Sequence, residues 1–561
     1  MHIGKLLRSP RELRFRLLQL VANAAMLALQ PRFRRLSCGP RDVRGVIPPV
    51  DPAEIDRLAA EILAHRIPLL AGVVETDPEI EWRRDYPNNK SSGLVWFKRI
   101  PYLDFERVGD HKNVWELNRH QHLVVLARKG GSECIREIER QIESWLVQNP
   151  FLRGMNWASA LEVAFRALSW MWIDQLVGSR FEPSFRERFQ NGLYQHGLYL
   201  QHNLSTYFSP NTHLLGEAVA LHALGAVYPN FPRRWKRDGA RMVAEQLIAQ
   251  VQPDGSHFEQ STYYHVYALD MFRLHAQLAD DDGLYRDALV KMTEYLAASM
   301  GEAGSLPFIG DDDGGRLFHP YGTRSEFGRA SVSAVGPSPS QLFANSGIAV
   351  ISQGALHILA DAGPFGAGGA GHSHSDTLSF TMRLGNREIL IDPGTYTYVA
   401  DPKWRDWFRG SSAHNTIRIN GLDQAVSAGP FRWESKPDVR VREWFAGLEG
   451  VLLDGECCYR GFTHRRRWIL ELDELRIEDE VSGPSGEHLI ERFWHCGESP
   501  ARLSDREFRI GNVLLTLDSK SEATLGQAWR SRTFGEKREN PVIQESFKTL
   551  LPYRGSATFV L

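Results

Sequence analysis

The sequence predicts a multidomain α+β protein in which an N-terminal α/α toroid of helical hairpins precedes a C-terminal antiparallel β-sandwich. The first observation is length, because 561 residues exceed the roughly 250 to 300 at which a single core stops growing. The second is periodicity: apolar residues recur with a helical period from about residue 53 to 300 and with a period of two after residue 340. An apolar content of 42% is ordinary for a globular protein.

Residues 1–45 form a basic leader. The first 35 residues carry eight lysines and arginines against one acid, Glu12, around an apolar stretch from Leu17 to Leu29. That stretch is shorter than the roughly 20 apolar residues of a membrane-spanning helix. The core of an export signal and an amphipathic helix on the protein body or on an anionic membrane surface both fit the pattern, so we expect membrane-surface contact through residues 1–36 as one alternative. An exported protein is slightly favoured over a cytoplasmic one.

The predicted toroid domain spans residues 46–335. No convincing strand interrupts its helical pattern, and short connections rich in Pro, Gly and Asn make successive helices antiparallel. The helices are predicted over 52–65, 115–129, 135–147, 158–177, 185–201, 213–227, 235–251 and 264–278.

The predicted sandwich domain spans residues 341–561, after a Pro- and Ser-rich linker at 335–340. Alternating apolar residues and tight turns indicate many antiparallel strands, for which a β-sandwich is the expected arrangement. Strands are predicted over 347–353, 355–362, 377–384, 388–392, 416–420, 465–472, 474–481 and 488–494.

Charge and cysteine usage exclude several classes of protein. A formal net charge of -2 gives no overall basic field for nucleic acid, so no nucleic-acid partner is expected. Five cysteines are odd in number and contain no C-x-x-C spacing, which indicates neither a disulfide framework nor a cysteine zinc site. We expect no organic cofactor, and the sequence leaves the oligomeric state open.

Histidines and carboxylates concentrate in the predicted strands. His372 and His374 form a His-x-His pair, and Asp392 and His414 follow on neighbouring segments. Histidine binds zinc and also titrates near neutrality, so such a group suits a metal site beside a proton-transfer site. Three nitrogen and oxygen ligands would leave a fourth position for water, although other divalent ions accept the same ligands.

Three segments of the helical half carry further polar chemistry. One begins at Asn211, which suits a helix cap, and it places His213 and Glu217 one turn apart on one face. The second is a polar, aromatic loop that includes Glu259 and Tyr264. The third is a helical face that holds Asn118, Gln121 and His122, with Arg119 close by. Each also has a structural interpretation, as a cap, a packed aromatic or a solvated helix face.

Two segments nearer the predicted hinge and sandwich complete the candidates. Residues 308–316 begin like a calcium loop, but Gly322 stands where the closing Glu is expected, so we interpret them as an acidic turn. Trp404, Arg405 and Arg409 precede the His414 segment and suit contact with an anionic chain.

Four segments in this order resemble the heparinase II/III-like family of polysaccharide lyases. They are Asn-x-His-Leu-Leu-Gly-Glu at 211–217, Asp-Gly-Ser-His-Phe-Glu at 254–259 with Tyr264-His265 behind it, Gly-His-Ser-His-Ser-Asp at 371–376, and His-Asn-Thr at 414–416. The resemblance implies an α/α toroid, a β-sandwich and a cleft in which a uronic-acid-containing acidic polysaccharide is cut by β-elimination.

The resemblance also implies roles for individual residues. Tyr264 corresponds to the catalytic tyrosine and His372 to the catalytic histidine. Asn211 or His213 corresponds to the segment that neutralises the uronate carboxylate, with Thr212 departing from the Asn that some of these lyases place directly before the His. Zinc, with a mainly structural role, is implied at the positions His374, Asp392 and His414. Apart from the resemblance, the residue types make Asn118, Arg119, Gln121, His122, Glu217, Glu259, Trp404, Arg405 and Arg409 our candidates for contact with the substrate.

Two other functions fit parts of the sequence. A glycoside hydrolase needs two carboxyl groups that flank the bond, and Glu217, Glu259 and Asp311 are available. A non-catalytic protein that binds or assembles exopolysaccharide would keep the scaffold without the chemistry.

Overall fold

The computed structural model describes residues 9–33, 40–46, 50–70, 72–279, 283–318, 321, 338–518 and 523–561. Two compact units emerge from the contacts within the chain. The first comprises Met1–Ile248, Asp270–Tyr285 and Gly315–Tyr321, and the second comprises Ala249–Leu269, Arg286–Gly314 and Gly322–Leu561. The second unit therefore contains segments that precede residue 335, and a linear boundary at 335–341 stays a prediction, with residues 335–337 of the linker outside the described residues.

Helices dominate the N-terminal half of the chain. Their bounds are α1 Pro10–Leu29, α2 Pro52–Leu63, α3 Phe105–Val108, α4 His111–Asn118, α5 Gln121–Lys129, α6 Gly131–Gln148, α7 Ala160–Val177, α8 Pro183–Asn203, α9 Thr212–Val227, α10 Arg233–Gln250, α11 Thr262–Ala279 and α12 Gly283–Met300. Helix α7 is buried over nearly its whole circumference, which identifies it as the centre of the first unit.

The helical half departs from the sequence-based expectation in three places. Strands β1 (Arg66–Leu69) and β2 (Gly72–Glu75) form an antiparallel hairpin. Ile67 and Leu69 are buried at alternate positions, as in a strand, and the segment is too short for a helix. The helix predicted over 115–129 is two helices, α4 and α5. His120 adopts a left-handed backbone conformation with φ 57° between them, which ends one helix before the next begins. A second short ladder pairs β3 (Arg84–Asp85) with β4 (Lys90–Ser91).

Strands dominate the C-terminal half. Their bounds are β5 Gln341–Phe343, β6 Ile348–Gln353, β7 Leu356–Asp361, β8 Ser379–Leu384, β9 Arg387–Leu390, β10 Ile417–Ile419, β11 Val426–Ser427, β12 Trp433–Ser435, β13 Asp438–Gly447, β14 Gly450–Tyr459, β15 Phe462–Glu471, β16 Glu474–Ser482, β17 Glu487–His495, β18 Ala501–Arg502, β19 Glu507–Ile510, β20 Val513–Leu517, β21 Ala523–Thr533, β22 Glu536–Leu550 and β23 Tyr553–Val560. One short helix, α13 (Pro402–Phe408), lies among them.

Three large antiparallel sheets and the two-stranded β11–β12 sheet build the β part of the second unit. Strands β5 to β9 form one in sequential order, β10-β17-β22-β21 form the second, and β13-β14-β15-β16-β23-β20-β19-β18 form the third. Side chains from all three sheets share one apolar core, including Ile358, Trp468 and Trp494. Sheets that bury a common core in this way form layers, as the predicted sandwich requires.

Within the described residues, none of the helices has the length and apolar character needed to cross a bilayer. The predicted basic leader, residues 1–45, contains α1. Residues 1–8 lie outside the described part of the chain.

Candidate active site

A loop at Gly310–Asp313 is held between the start of α11 and the segment that carries His372. The Thr262 N–H donates to the Ile309 carbonyl at 3.1 Å, and the Asp311 N–H donates to the His372 carbonyl at 2.9 Å. Gly310 has a φ of +66°, and a Cβ at this position would lie 2.6 Å from the His372 carbonyl oxygen. A side chain at Gly310 would therefore force the loop and the His372 segment apart.

Tyr264 and His372 stack on each other. Their ring centroids are 3.8 Å apart and their planes differ by 21°. Tyr264 lies in the first turn of α11, where its N–H donates to the Ser261 hydroxyl at 3.2 Å, and that hydroxyl donates to the Asp311 carbonyl at 2.7 Å. The helix start and the acidic loop therefore fix the phenol against the imidazole.

The Tyr264 hydroxyl lies among acidic and phenolic oxygens. The Tyr398 hydroxyl is 3.3 Å away, and Tyr264 donates to Asp313 Oδ2 at 3.4 Å. Burial, together with the negative charges of Asp313 and Asp311 and the nearby Tyr398, raises the pKa of Tyr264 well above its usual value of 10. The phenol is therefore held in its protonated form.

His372 is held by carboxylates. Its Nδ1 lies 3.0 Å from Asp311 Oδ2, and its Nε2 lies 3.7 Å from Glu259 Oε1. Burial alone would lower the pKa of His372, but the Asp311 hydrogen bond and the charges of Glu259, Asp311 and Asp313 outweigh it and raise that pKa above 6.5. The hydrogen bond also fixes the orientation of the ring, which is what a proton-transfer group needs.

Asp311 organises the site, which corrects its interpretation as part of a plain acidic turn. The carboxylate is fully buried and contacts His372, His374 Nε2 at 2.9 Å and Thr395 Oγ1 at 3.3 Å. Arg405 forms a two-pronged ion pair with it, in which Nη2 donates to Oδ2 at 2.8 Å. Burial alone would raise the pKa of Asp311, but the Arg405 charge and these hydrogen bonds lower it well below its usual value.

His374, Asp392 and His414 come together as a buried group that could hold a metal ion, with their ligand atoms all within 4.8 Å of one another. His374 Nε2 is bonded to Asp311, and His414 Nδ1 lies 2.6 Å from Asp392 Oδ2. The other ring nitrogen of each, His374 Nδ1 and His414 Nε2, is buried without a hydrogen-bond partner. Buried nitrogens of this kind, in imidazoles oriented by carboxylates, fit a metal site.

Asn118 and Arg119 lie in the first unit with internal partners. The Asn118 amide donates to the Trp82 and Val114 carbonyls at 2.8 and 2.7 Å. The Arg119 guanidinium forms a bidentate pair with Glu162, with donor distances of 2.7 and 2.9 Å. Because both side chains are buried, these contacts favour structural roles, and contact with substrate stays a prediction.

Gln121, His122 and Glu217 are also buried in the first unit. Gln121 donates to the Arg316 carbonyl at 2.6 Å, and His122 Nε2 lies 2.9 Å from Gln141 Oε1. The N–H and hydroxyl of Ser205 both donate to Glu217 at 2.6 Å. Burial raises the pKa of Glu217 to about 8 despite these hydrogen bonds. These internal partners again favour structural roles.

Asn211 caps α9, as the capping interpretation requires. Its side-chain oxygen accepts from the His213 N–H at 3.1 Å. Both residues are only partly buried, in contrast to Asn118 and Arg119. Among the first-unit candidates, Asn211 and His213 therefore remain the better placed for contact with a bound molecule.

The candidates on α13 differ among themselves. Arg405 is committed to Asp311, and Arg409 is buried and donates to Asp406 and to the Gly429 carbonyl at 2.8 Å. Trp404 is half-buried, with the Lys537 ammonium 4.5 Å from its ring centroid. A role in substrate binding stays a prediction for all three, and Trp404 is the one with an accessible surface.

Sequence reasoning missed the contributions of Tyr398, Asp313 and Thr395, and it considered Asp311 only as part of an acidic turn and as a possible hydrolase carboxylate. Tyr398 stands six residues after Asp392 with no motif around it. The usable signal was the Gly310-Asp311-Asp312-Asp313-Gly314 run, because acidic residues between glycines in a predicted hinge are as typical of a site as of a turn.

Comparison with known proteins places these features in a family. Residues 50–300 match the family described as heparinase II/III N-terminus, and residues 335–552 match heparinase II/III-like, C-terminal. The chain is similar to a heparin-sulfate lyase of Bacteroides stercoris, with 23% identity over 435 residues that cover 67% of this chain and 63% of the relative. A heparin-sulfate lyase of Pedobacter heparinus is 24% identical over 475 residues, covering 74% and 68%.

The fold comparison agrees. The crystal structure of a heparinase III superposes with a TM-score of 0.71 at 16% identity and covers 97% of this chain and 89% of that one. This likeness confirms the predicted fold class, an α/α toroid followed by an antiparallel β-sandwich. In sequence, the chain spans less than two thirds of the length of the Bacteroides stercoris relative. From the two matched family regions and the shared fold, the chain belongs to the heparinase II/III-like family.

Proposed function

We propose that the protein is a polysaccharide lyase that cleaves a uronic-acid-containing acidic polysaccharide by β-elimination. The observation that carries this proposal is the stack of Tyr264 on His372, with ring centroids 3.8 Å apart. Two proton-transfer groups at this separation can both reach one sugar ring. The relatives named heparin-sulfate lyases make a sulfated glycosaminoglycan the first substrate to test.

The reaction needs a base, an acid and an anion stabiliser. The base removes the proton at carbon 5 of the uronate, and the acid protonates the departing glycosidic oxygen as the bond at carbon 4 breaks. The raised pKa of Tyr264 suits the acid, because the phenol keeps its proton until the leaving group needs it. His372 suits the base once its own proton is lost.

We assign Tyr264 both roles for one uronate epimer and His372 the base role for the other. A phenol of raised pKa is a poor base in the free protein. Tyr264 would act as a base only if a bound substrate lowered the pKa of its hydroxyl, against the effect of the Asp313 and Asp311 charges. The two assignments therefore predict different pH dependence for the two epimers.

Removal of the carbon 5 proton places negative charge on the uronate carboxylate, which donors must stabilise. Asn211 and His213 are our candidates. Arg119 is weaker in this role because Glu162 and Glu116 already bind its guanidinium.

We propose zinc at His374, Asp392 and His414, where the two unpartnered imidazole nitrogens and the carboxylate match its usual ligands. Bound zinc would supply a structural crosslink between the segments that carry these residues. The elimination itself requires only proton transfers and charge stabilisation by the side chains.

A hydrolase is less well supported by the geometry. Such an enzyme needs one carboxyl group that can donate a proton, with a raised pKa. Asp311 is held ionised by Arg405 and two histidines. The pKa of Glu217 is raised to about 8, but Ser205 binds both of its carboxyl oxygens within the first unit. A non-catalytic binding protein would retain the scaffold but would not need the stacked phenol and imidazole.

The test is incubation with heparan sulfate, chondroitin sulfate, hyaluronan and alginate, followed by ultraviolet absorbance and reducing-end assays. A lyase gives unsaturated uronate ends that absorb in the ultraviolet, a hydrolase gives reducing ends without that absorbance, and a binder gives neither. Tyr264→Phe should lose on the order of a thousandfold in kcat. Tyr263→Phe is the matched control, because this neighbour stacks on Tyr267 instead. Unsaturated product at the parent rate from Tyr264→Phe would refute the assignment.

A further inference from the structure

Helix α1 carries its apolar side chains on the outside. Leu13, Leu17 and Val21 are 54%, 62% and 58% exposed, and Leu18 and Leu20 are also exposed. Leu13, Leu17, Leu20 and Val21 lie at spacings of three, four and seven residues and therefore share one face. A surface helix normally shows the opposite pattern, with apolar residues inward and polar residues outward.

The face that α1 turns inward is held by polar contacts. Asn23 is fully buried and exchanges two side-chain hydrogen bonds with Asn203 of α8, at 2.8 and 2.9 Å. Gln19 accepts from Lys98 Nζ at 3.2 Å. These contacts fix the rotation of α1 about its axis. The exposure of its leucines therefore follows from how the helix is anchored.

Positive charge surrounds this face. Arg11 and Arg14 are exposed near the start of the helix, and Arg32 is exposed just beyond its end. Glu12 is the only acid between residues 9 and 33, and Arg16 pairs with it at 2.7 Å. Within residues 9–33, an apolar face with a rim of arginines and a single, ion-paired carboxylate matches an anionic lipid surface in both character and charge.

We propose that α1 binds the surface of an anionic membrane, lying in the plane of the interface with Leu13, Leu17, Leu20 and Val21 inserted. Tyr207 supports this geometry, because its ring centroid lies 5.2 Å from that of Phe15 beside the helix, and aromatic side chains favour membrane interfaces. Pairing of α1 with a second copy of itself would place arginines against arginines. Covering of this face by residues 1–8, which contain Lys5 and Arg8, would likewise place positive charges next to each other.

This inference is independent of the proposed lyase activity, because α1 contributes no residue to the candidate active site. The test is co-sedimentation of the full-length protein with vesicles of phosphatidylglycerol and phosphatidylcholine in equal parts, and with vesicles of phosphatidylcholine alone. We expect binding to the anionic vesicles that weakens as salt is raised, and little binding to the neutral ones.

Two variants separate the apolar and charged contributions. Leu13→Ser, Leu17→Ser and Val21→Ser together should weaken binding at least about a hundredfold, since three inserted side chains are lost. Arg11→Gln with Arg14→Gln keeps the apolar face and should weaken binding on the order of tenfold at low salt. The matched control is Val147→Ser with Ile248→Ser, which removes side chains of 70% and 78% exposure from other helices and should bind as the parent does.

Light scattering completes the test by reporting self-association. Absence of binding to anionic vesicles would overturn the proposal, as would equal binding by the triple-serine variant and the control. A dimer that only the triple-serine variant abolishes would overturn it in favour of a second copy of the chain. Lyase activity on a soluble substrate, where present, should be unchanged in all three variants, so failure of either proposal can be recognised separately.

Discussion

The carboxylate of Asp311 contacts both His372 and the candidate metal site. Asp311 Oδ2 lies 3.0 Å from His372 Nδ1, and its Oδ1 lies 2.9 Å from His374 Nε2. A hydrogen bond at one ring nitrogen thereby orients each imidazole, and the other ring nitrogen points away from Asp311. The acidic loop therefore positions the proposed base and a proposed metal ligand together.

Replacement of Asp311 by Asn should affect both activity and stability. Asp311→Asn leaves Arg405 buried without its counter-charge, which should lower the free energy of unfolding by about 3–5 kcal/mol. Loss of the carboxylate that orients His372 should lower kcat on the order of a hundredfold. Urea denaturation and steady-state kinetics measure the two effects.

The double variant Asp311→Asn with Arg405→Met distinguishes orientation from folding. Removing both charges should restore part of the stability, because no unpaired charge remains buried. The kcat should stay low, since His372 still lacks its partner. Recovery of activity in step with stability would show that Asp311 acts only through folding.

The fold was predictable where burial alternates or repeats regularly. Strands predicted over 465–472 and 474–481 correspond to β15 and β16, whose side chains alternate between buried and less buried along their length. Strand β13 was not predicted, because most of its residues are exposed and no apolar alternation toward the core marks it. The β1–β2 hairpin was missed because four-residue strands leave too little pattern to recognise.

The site was predictable only in part. Tyr264 and His372 could be named from the segments around them, but their stacking joins residues more than a hundred positions apart. Asp311 lies 61 positions from His372, and its run of acidic residues looks in sequence like any polar turn. Contact of Arg405 with an anionic substrate stays a prediction, but nothing in the sequence indicated its ion pair with Asp311. Sequence supplies the charged residue types, but which charges pair depends on tertiary contacts.

Tyr398→Phe should lower kcat about tenfold, because its hydroxyl lies 3.3 Å from that of Tyr264 and helps to place it. Stability should change by less than about 1 kcal/mol, since the ring remains packed. Kinetics with a saturating substrate measure the change. Tyr396→Phe, two residues earlier and half-buried, should behave as the parent does, and an equal loss in both variants would contradict the assignment.

The metal site predicts a measurable zinc content. The purified protein should hold about one zinc ion per chain, and chelation should lower Tm by several degrees, because a ligand bound only to the folded state stabilises it. His374→Ala and His414→Ala should each lose the metal and the response to chelator. Elemental analysis and thermal unfolding check this result, with His488→Ala as the control, since His488 bonds the Pro484 carbonyl and is not among the candidate ligands. Parent-level zinc in His374→Ala would contradict the ligand assignment.

Glu217 predicts how stability depends on pH. Burial raises its pKa from 4.5 to about 8 in the folded protein, so the folded state keeps a proton that the unfolded state loses above about pH 4.5. Stability should therefore fall as pH rises from about 4.5 to about 8, by up to roughly 1.4 kcal/mol per unit from this one group. Glu217→Gln stays neutral and can still bond Ser205, so its Tm should exceed that of the parent increasingly toward pH 8. Thermal unfolding across this range, with exposed Glu245→Gln as the control, measures the difference, and parallel curves for parent and Glu217→Gln would show that Glu217 is already ionised in the folded protein.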